Sequence, residues 1–265
     1  MFVIKSSGKK IKFDRKRIIK TCIRSGLSSK EADSVVASVE TQIYDGIHTR
    51  ELLKMIISEI RKHDKHAASR YDLKGAIMRL GPSGFAFEKF IARLLEEEGY
   101  KTKTNQIIQG SCIKHEIDVV AEKQNKLVIE CKYHNSPGIY TGVKDILYTY
   151  ARFLDLKDGY KDGKCENFSN VWLASNTKFS TDVLTYATRK NIKLLGWGYP
   201  PRESLQKLIE KHKLYPITML RSVNKETMKE LLSYNIIVIN DIISKKPPIN
   251  NISVVMKESL GLTGQ

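Results

Sequence analysis

The sequence lacks the cysteine pattern of a metal-bound or disulfide-rich fold. Its four cysteines, Cys22, Cys112, Cys131 and Cys165, include no CxxC pair. A structural zinc site and a secreted disulfide framework are therefore both disfavoured. We expect the thiols to be reduced.

Long apolar segments and nucleotide-hydrolysis motifs are missing as well. No apolar run approaches the roughly 18 residues that a membrane helix needs, and the opening MFVIKSSGKKIKF has no signal-peptide core. We therefore expect a cytoplasmic protein with no membrane partner. The sequence has no GxxxxGK[ST] P-loop, which argues against ATP hydrolysis.

Acidic residues are scarce relative to basic ones. The chain has 45 Lys+Arg against 29 Asp+Glu, a formal net charge of +16. Such a field attracts polyanions, so nucleic acid is the first partner to consider. A lysine-rich surface without a specific partner explains the charge equally well.

The pattern along the chain predicts an α/β protein, α+β overall, with three parts. Residues 1–80 begin with a hairpin, FVIKSSGKKIKF, and continue with a helix that Asp14 caps, a second helix that starts at Ser28, and a long helical stretch. The segment GPSG at 81–84 predicts a domain junction. Residues 81–199 predict a mixed sheet flanked by helices, and residues 200–265 a small helical region that ends in a loose tail.

Acidic residues and a lysine interrupt two strands that otherwise read as buried. In LVIECKYH the alternation places Glu130 and Lys132 on one face. Asp118 lies in the preceding strand, HEIDVVAE, and the short turn at 123–126 predicts antiparallel pairing of the two strands. The three side chains can then converge. Two adjacent carboxylates repel each other unless a cation lies between them, and their oxygens suit Mg²⁺.

Asp118 followed by Glu130-Cys131-Lys132 resembles the PD-(D/E)xK nuclease superfamily, and within it the Mrr-type restriction endonucleases. The helix GFAFEKFIARLLEEEGY is similar to the first helix of that branch, with Glu88 in the place of an additional active-site acid. The resemblance covers about residues 81–198. One departure is that Glu116-Ile117, and not proline, precedes Asp118.

This resemblance implies that Asp118 and Glu130 bind Mg²⁺ or Mn²⁺ and that Lys132 stabilises the transition state of phosphodiester hydrolysis. Catalytic and structural roles both remain open for His115. Asn176 and Lys178, in the loop SNTKFS, are candidates for contacts with phosphate.

The first eighty residues resemble the ATP cone, a nucleotide-sensing domain. The resemblance rests on the hairpin, on the helix that starts at FDRKRI, and on the later segment IYDGIHTRELL. It implies that ATP or dATP binds as an effector through Val3, Lys5, Lys9, Arg17 and Thr49. A basic hairpin that binds DNA phosphates is the alternative interpretation.

Together these features predict a metal-dependent DNA endonuclease regulated by ATP or dATP. Its partner would be double-stranded DNA, and cleavage of both strands would favour a homodimer or a higher oligomer. A nucleotide-responsive DNA-binding regulator with an inactive nuclease fold is the alternative from another class. A repair or junction nuclease with the same chemistry is a third possibility.

Overall fold

The amino-terminal hairpin forms as the sequence predicts, in a computed structural model that describes residues 1–81 and 84–264. Strands β1 (Phe2–Ile4) and β2 (Lys10–Lys12) pair antiparallel. A short strand that the sequence did not predict, β3 (Ile47–His48), pairs parallel with β1 and makes β1 the central strand. Residues 82 and 83 of the predicted junction lie outside the described residues.

Two helices with the predicted caps follow the hairpin. Helix α1 (Arg15–Arg24) begins after Asp14, whose side chain accepts a hydrogen bond from the Arg17 N–H at 3.0 Å. Helix α2 (Ser29–Glu40) begins with a capping box between Ser28 and Glu31. These side chains satisfy backbone donors that have no partner within the helix.

The predicted long helical stretch is divided into α3 (Thr49–His63), α4 (Lys65–Tyr71) and α5 (Leu73–Met78). Asp64 causes the first break. Its backbone is extended, and its carboxylate accepts a hydrogen bond from the His66 N–H at 2.7 Å. A short acidic side chain that binds the next turn's backbone competes with helix continuation, so the apolar periodicity alone missed the break.

The central part of the chain is a five-stranded mixed sheet with helices on both faces. Along the chain its elements are α6 (Phe85–Glu97), β4 (Lys101–Gln109), β5 (Lys114–Glu122), β6 (Lys126–Lys132), β7 (Tyr140–Thr141), α7 (Val143–Lys161), β8 (Asn170–Ser175), β9 (Lys178–Phe179), α8 (Thr181–Lys190) and β10 (Lys193–Leu195). The strand order is β10-β8-β6-β5-β4, and β7 pairs separately with β9. The predicted antiparallel pairing of β5 with β6 is confirmed.

The carboxy-terminal part consists of α9 (Leu205–His212), a 3₁₀ turn (Ile217–Met219), α10 (Lys225–Ser233), α11 (Ile239–Lys245) and α12 (Ile252–Thr263). The expectation that the chain ends in a loose tail was wrong, because α12 occupies most of that segment. Val255, Ser259 and Leu262 recur at helical spacing and are buried against the preceding helices. The Pro and Asn residues before this helix obscured that stripe.

Three hydrophobic clusters define the packing of the described residues, 1–81 and 84–264. One lies within the amino-terminal part and ends at Tyr71. A second covers one face of the large sheet and joins α6 and the carboxy-terminal helices to residues of α5, including Leu73 and Ile77. The third lies on the opposite face, under α7 and α8. Helix α5 therefore packs with the central and carboxy-terminal parts.

No helix in the described ranges is long and apolar enough to cross a membrane.

Helix α12 provides a matched pair of valines for a stability test. Val255 is 0% exposed and its neighbour Val254 is 60% exposed. We expect Val255→Ala to lower the free energy of unfolding by about 2 kcal/mol, because it removes buried methyl groups and leaves a cavity. Val254→Ala should change it by less than about 0.5 kcal/mol. Denaturant unfolding measures both, and equal effects would mean that α12 is not part of the core.

Candidate active site

Strands β5 and β6 separate just beyond the pair Val119↔Ile129, and this fork contains the acidic residues. Asp118 directly precedes Val119 in β5 and is the first residue that is no longer paired with β6. Its Oδ2 atom accepts a hydrogen bond from the Cys131 N–H of β6 at 2.7 Å. The carboxylate therefore takes the place of a backbone acceptor where the ladder ends. Past this point β6 pairs with β8 up to Lys132↔Ser175, and β5 pairs with β4.

Glu130 is only 7% exposed, and each of its carboxylate oxygens contacts a cation. Oε1 lies 2.9 Å from Nζ of Lys132, and Oε2 lies 2.6 Å from a guanidinium nitrogen of Arg152. A buried carboxylate stays ionised only when such partners offset its lost hydration. The structure thus brings the acid and the lysine of the Glu-x-Lys segment into direct contact.

The buried, negatively charged surroundings of Asp118 strongly shift its pKa. Burial raises the pKa of Asp118 from its ordinary value of 3.8 to about 7, and the negative charge of Glu130 adds to the effect. The Cys131 hydrogen bond and the charge of Arg152 oppose the rise without cancelling it. Near neutral pH, Asp118 therefore exchanges readily between its acid and carboxylate forms, and a cation at the fork would favour the carboxylate.

Glu88, in the first turn of α6, belongs to the same group of acids. Burial raises the pKa of Glu88, and the charges of Glu116 and Glu130 act in the same direction. Asn105 of β4 donates a hydrogen bond to Glu88 at 3.1 Å. Asn105 has φ +52°, a left-handed conformation that asparagine adopts more readily than most residues, and it lies opposite Asp118 in the β4–β5 register.

Lys132 retains its positive charge at the fork. Burial lowers the pKa of Lys132, but the hydrogen bond to Glu130 and the nearby carboxylates outweigh that effect, so the net shift is upward. The Lys132 ammonium also lies 5.7 Å from the centre of the Tyr148 ring. It is therefore a protonated, oriented cation next to two carboxylates.

Arg152 is the site residue that the sequence prediction missed. It lies on α7 and contacts both Glu130 and the backbone carbonyl of Glu116, so it connects the two separating strands. Its guanidinium packs 5.1 Å from the centre of the Tyr148 ring. Arg152 lies three residues after Thr149 and four before Leu156, so its helical spacing on the face that carries these buried residues was the available signal.

His115 and Asn176 are engaged in structural contacts. His115 is buried, and its Nε2 lies 2.7 Å from Asp155, a residue that also binds the turn between β4 and β5. Asn176 is 0% exposed and bonds both the N–H and the carbonyl of His134. The expected phosphate contact by Asn176 was wrong, because its amide is occupied by that backbone. Lys178 is exposed.

The residues expected to bind nucleotide do not have equal access to ligand. Lys9 and Arg17 are exposed, and Lys5 and Thr49 are half-buried on the same small sheet and the start of α3. Val3 is 3% exposed, and its strand is paired on both sides. Val3 therefore supports this surface from the core, and its side chain is closed to a ligand.

The donor set at the fork fits a magnesium ion. No group of three His, Cys, Asp or Glu side chains in the described residues could ligate a metal. Mg²⁺ commonly binds through one or two carboxylates, with water and phosphate oxygens completing its shell. Asp118 and Glu130 supply that number of hard oxygen donors, and their mutual repulsion is what a cation would relieve.

Comparisons with known proteins agree with this architecture. The ATP cone domain model matches residues 1–73, the restriction endonuclease model matches residues 81–197, and a model described as AF1548-like, C-terminal matches residues 215–258. The chain is thus a protein in which an ATP cone domain precedes a restriction endonuclease domain. Both resemblances seen in the sequence are confirmed.

Relatives of known sequence or structure define the family further. An uncharacterized protein of Archaeoglobus fulgidus is 48% identical over 155 residues, which is 58% of this chain and 84% of that protein. The crystal structure of the protein of unknown function AF1548 is 40% identical, with a TM-score of 0.60, and the match covers 69% of this chain and 100% of the other. The chain belongs to the AF1548 family.

A weaker likeness is to the MspJI restriction endonuclease in complex with a 27-mer oligonucleotide. It has 12% identity and a TM-score of 0.37, and covers 56% of this chain and 32% of the other.

The raised pKa of Asp118 predicts a pH-dependent stability when metal is chelated. The folded-state pKa of about 7 lies above the ordinary value of 3.8. The neutral acid's contribution to stability is therefore complete below pH 3.8 and is lost as the pH rises to about 7. We expect Asp118→Asn to have a higher melting temperature than wild type at pH 8 and a similar one at pH 4.

The exposed Asp182 supplies the matched control for this test. Asp182→Asn should follow the wild-type profile between pH 5 and 8. The expected pKa would be wrong if Asp118→Asn also followed that profile.

Proposed function

We propose that the chain is a metal-dependent DNA endonuclease that hydrolyses phosphodiester bonds and is regulated by ATP or dATP bound to its ATP cone. The observation that carries the proposal is the fork between β5 and β6, where Asp118, Glu130 and Lys132 meet. Catalytic acids and bases commonly occur where buried ionisable groups of opposite charge lie close together. The family membership and the basic net charge of +16 support double-stranded DNA as the substrate.

Each residue of the fork has a distinct part in this proposal. Asp118 and Glu130 would hold Mg²⁺ or Mn²⁺, which when bound supplies Lewis-acid stabilisation of a phosphate oxygen and acidifies a water molecule. The Cys131 N–H fixes the orientation of Asp118. Lys132 donates from its ammonium to the phosphoryl oxygen that gains negative charge in the transition state.

Glu88 and Arg152 complete the environment of the fork. Burial raises the pKa of Glu88 and so favours its protonated form, which suits the role of an additional active-site acid. Arg152 keeps one oxygen of Glu130 neutralised when Lys132 turns toward a phosphate. One such site cuts one strand, so cleavage of both strands requires two sites, and we propose a homodimer.

A second candidate function is a DNA-binding regulator that uses the nuclease fold without cutting. The observation that favours it is that both oxygens of Glu130 are already neutralised by Lys132 and Arg152. A carboxylate in that state needs no metal. The two candidates differ in whether Asp118 and Glu130 bind a divalent cation.

Removal of the lysine ammonium tests the nuclease. We expect Lys132→Ala to lower the rate of plasmid cleavage in Mg²⁺ or Mn²⁺ by at least about 100-fold, because a preorganised cation is lost from the transition state. DNA binding should be retained. Lys103→Ala is the control, since Lys103 is an exposed lysine of the same sheet.

Supercoiled plasmid, with and without methylation and with and without ATP, is the appropriate substrate set. Cleavage by Lys132→Ala at the wild-type rate on every form would refute the assignment of the site.

Metal binding separates the nuclease from the regulator. We expect Mg²⁺ to raise the melting temperature of wild type, because a ligand that binds only the folded state stabilises it. The shift should be absent in Asp118→Asn and retained in Asp182→Asn. A regulator would show no Mg²⁺ shift in wild type and would bind DNA equally well in chelator.

A further inference from the structure

Helix α7 exposes a row of apolar side chains to solvent. Val143 is 39% exposed, Leu147 and Leu154 are each 44% exposed, and Tyr148 is 55% exposed. Ala151, in the same row, is also exposed. Single exposed apolar side chains are common on soluble proteins, whereas a continuous patch of them marks an interaction surface. We call these five residues the α7 face.

The α7 face follows the helical repeat and lacks charge over two turns. Leu147, Ala151 and Leu154 are spaced four and three residues apart, which places them on one side of the helix. The charged residue within this stretch, Arg152, points inward to Glu130. In a chain of which 28% is charged, such a surface does not suit DNA, whose phosphates are bound by lysine and arginine. It suits an apolar surface of a protein.

The two ends of the α7 face carry opposite charges. Lys144 lies seven residues before Ala151 and Asp158 lies seven residues after it, so both are close to two helical turns away and project on the same side. Both side chains are exposed. Lys144 takes part in no ion pair across residues 1–81 and 84–264, and Asp158 is paired on the surface with Lys161 at 2.8 Å. A surface pair of this kind contributes little stability, so another cation can replace Lys161.

This pattern of apolar and charged residues is complementary to itself. In an antiparallel pair of α7 helices with a two-fold axis at Ala151, residues equally distant from Ala151 face one another. Lys144 then lies opposite the partner's Asp158, and Tyr148 lies opposite the partner's Leu154. Alanine at the crossing point lets the helix axes approach closely. A parallel pair would instead place Lys144 next to its own copy, so the charges select the antiparallel order.

We propose that the α7 face binds a second copy of the same chain, as an antiparallel helix pair centred on Ala151. By symmetry the interface contains the contact between Lys144 and Asp158 at each of its two ends. This inference rests on the proposed function and deepens it, because it names the surface through which the homodimer forms.

The α7 face adjoins the candidate active site, so pairing of the helices also arranges the two sites. The Tyr148 ring centre lies 5.7 Å from the Lys132 ammonium and 5.1 Å from the Arg152 guanidinium. A two-fold axis perpendicular to the plane of the two helices keeps the corresponding sides of both copies on one side of the dimer. The two Tyr148 residues are then offset by about 9 Å along the helix axes, at the usual rise per residue. Both forks therefore face the same side, where one DNA duplex can contact them.

Analytical ultracentrifugation of the full-length chain tests the proposal through a charge exchange. We expect wild type to be a dimer. Lys144→Asp and Asp158→Lys should each raise the dimer dissociation constant at least about tenfold, because each places like charges opposite one another at both ends of the interface. The double variant Lys144→Asp/Asp158→Lys should restore the wild-type value, which a general loss of structure would not. Lys229→Asp, at an exposed lysine of α10, is the control for charge reversal.

The apolar centre of the interface is tested with Leu147→Glu, which should give a monomer with the wild-type melting temperature. Val254→Glu is the matched control, since Val254 is 60% exposed on helix α12 and should leave the dimer intact. A monomeric wild type would overturn the inference, and so would a double charge variant that does not recover the dimer. Leu147→Glu with an unchanged dimer and weakened DNA binding would also overturn it and would assign the α7 face to DNA.

Plasmid cleavage by the same samples separates this inference from the proposed function. Cleavage that depends on Lys132 in a monomeric wild type would overturn the α7 interface and leave the nuclease in place. A dimer that dissociates in Leu147→Glu but cuts no DNA in Mg²⁺ or Mn²⁺ would support the interface and refute the nuclease.

Discussion

The burial of Glu130 is the constraint on which the rest of the candidate active site depends. A carboxylate that is 7% exposed in the middle of a sheet must be neutralised from both sides. Lys132 can reach it because residues two apart in a strand share a face. The second cation comes from α7, so this helix must pack across the strand with Arg152 facing inward. The same guanidinium contacts the carbonyl of Glu116 and thereby supports the end of β5 where it leaves β6.

The opening of the sheet creates the room for chemistry. If the β5–β6 ladder had continued, Asp118 and Glu130 would be adjacent cross-strand carboxylates, an arrangement that is destabilising. The strands separate at this point, and Asp118 binds the Cys131 N–H that the ladder leaves free. Asn105, in a left-handed conformation opposite Asp118, lets β4 follow the bend while its side chain binds Glu88. The end of the β5–β6 pairing and the grouping of the acids at the fork therefore have the same structural cause.

Much of this arrangement could be predicted from the sequence, because it depends on local periodicity. The two-residue alternation placed Glu130 beside Lys132, and the short turn at 123–126 placed Asp118 opposite them. Arg152 could not be found in that way, since it comes from a helix separated by 22 positions from Glu130. The sequence analysis also missed the helix break at Asp64 and the presence of helix α12, for a related reason. Caps and tertiary burial, and not periodicity alone, decide where a helix begins and ends.

The position of Lys132 would allow it to bind two partners one after the other. In the structure its ammonium is bound to Glu130, which still has Arg152 on its other oxygen. In the proposed reaction Lys132 moves to a phosphate, so that Glu130 would keep one cation and the repulsion between Glu130 and Asp118 would increase. That repulsion would favour the proposed divalent cation at the fork when substrate is present. The loop after Lys132 lies against the amino-terminal hairpin, since a Cβ atom at Gly138 would lie 2.7 Å from the Oγ atom of Ser6, so the proposed nucleotide effector would bind close to the segment that carries the lysine.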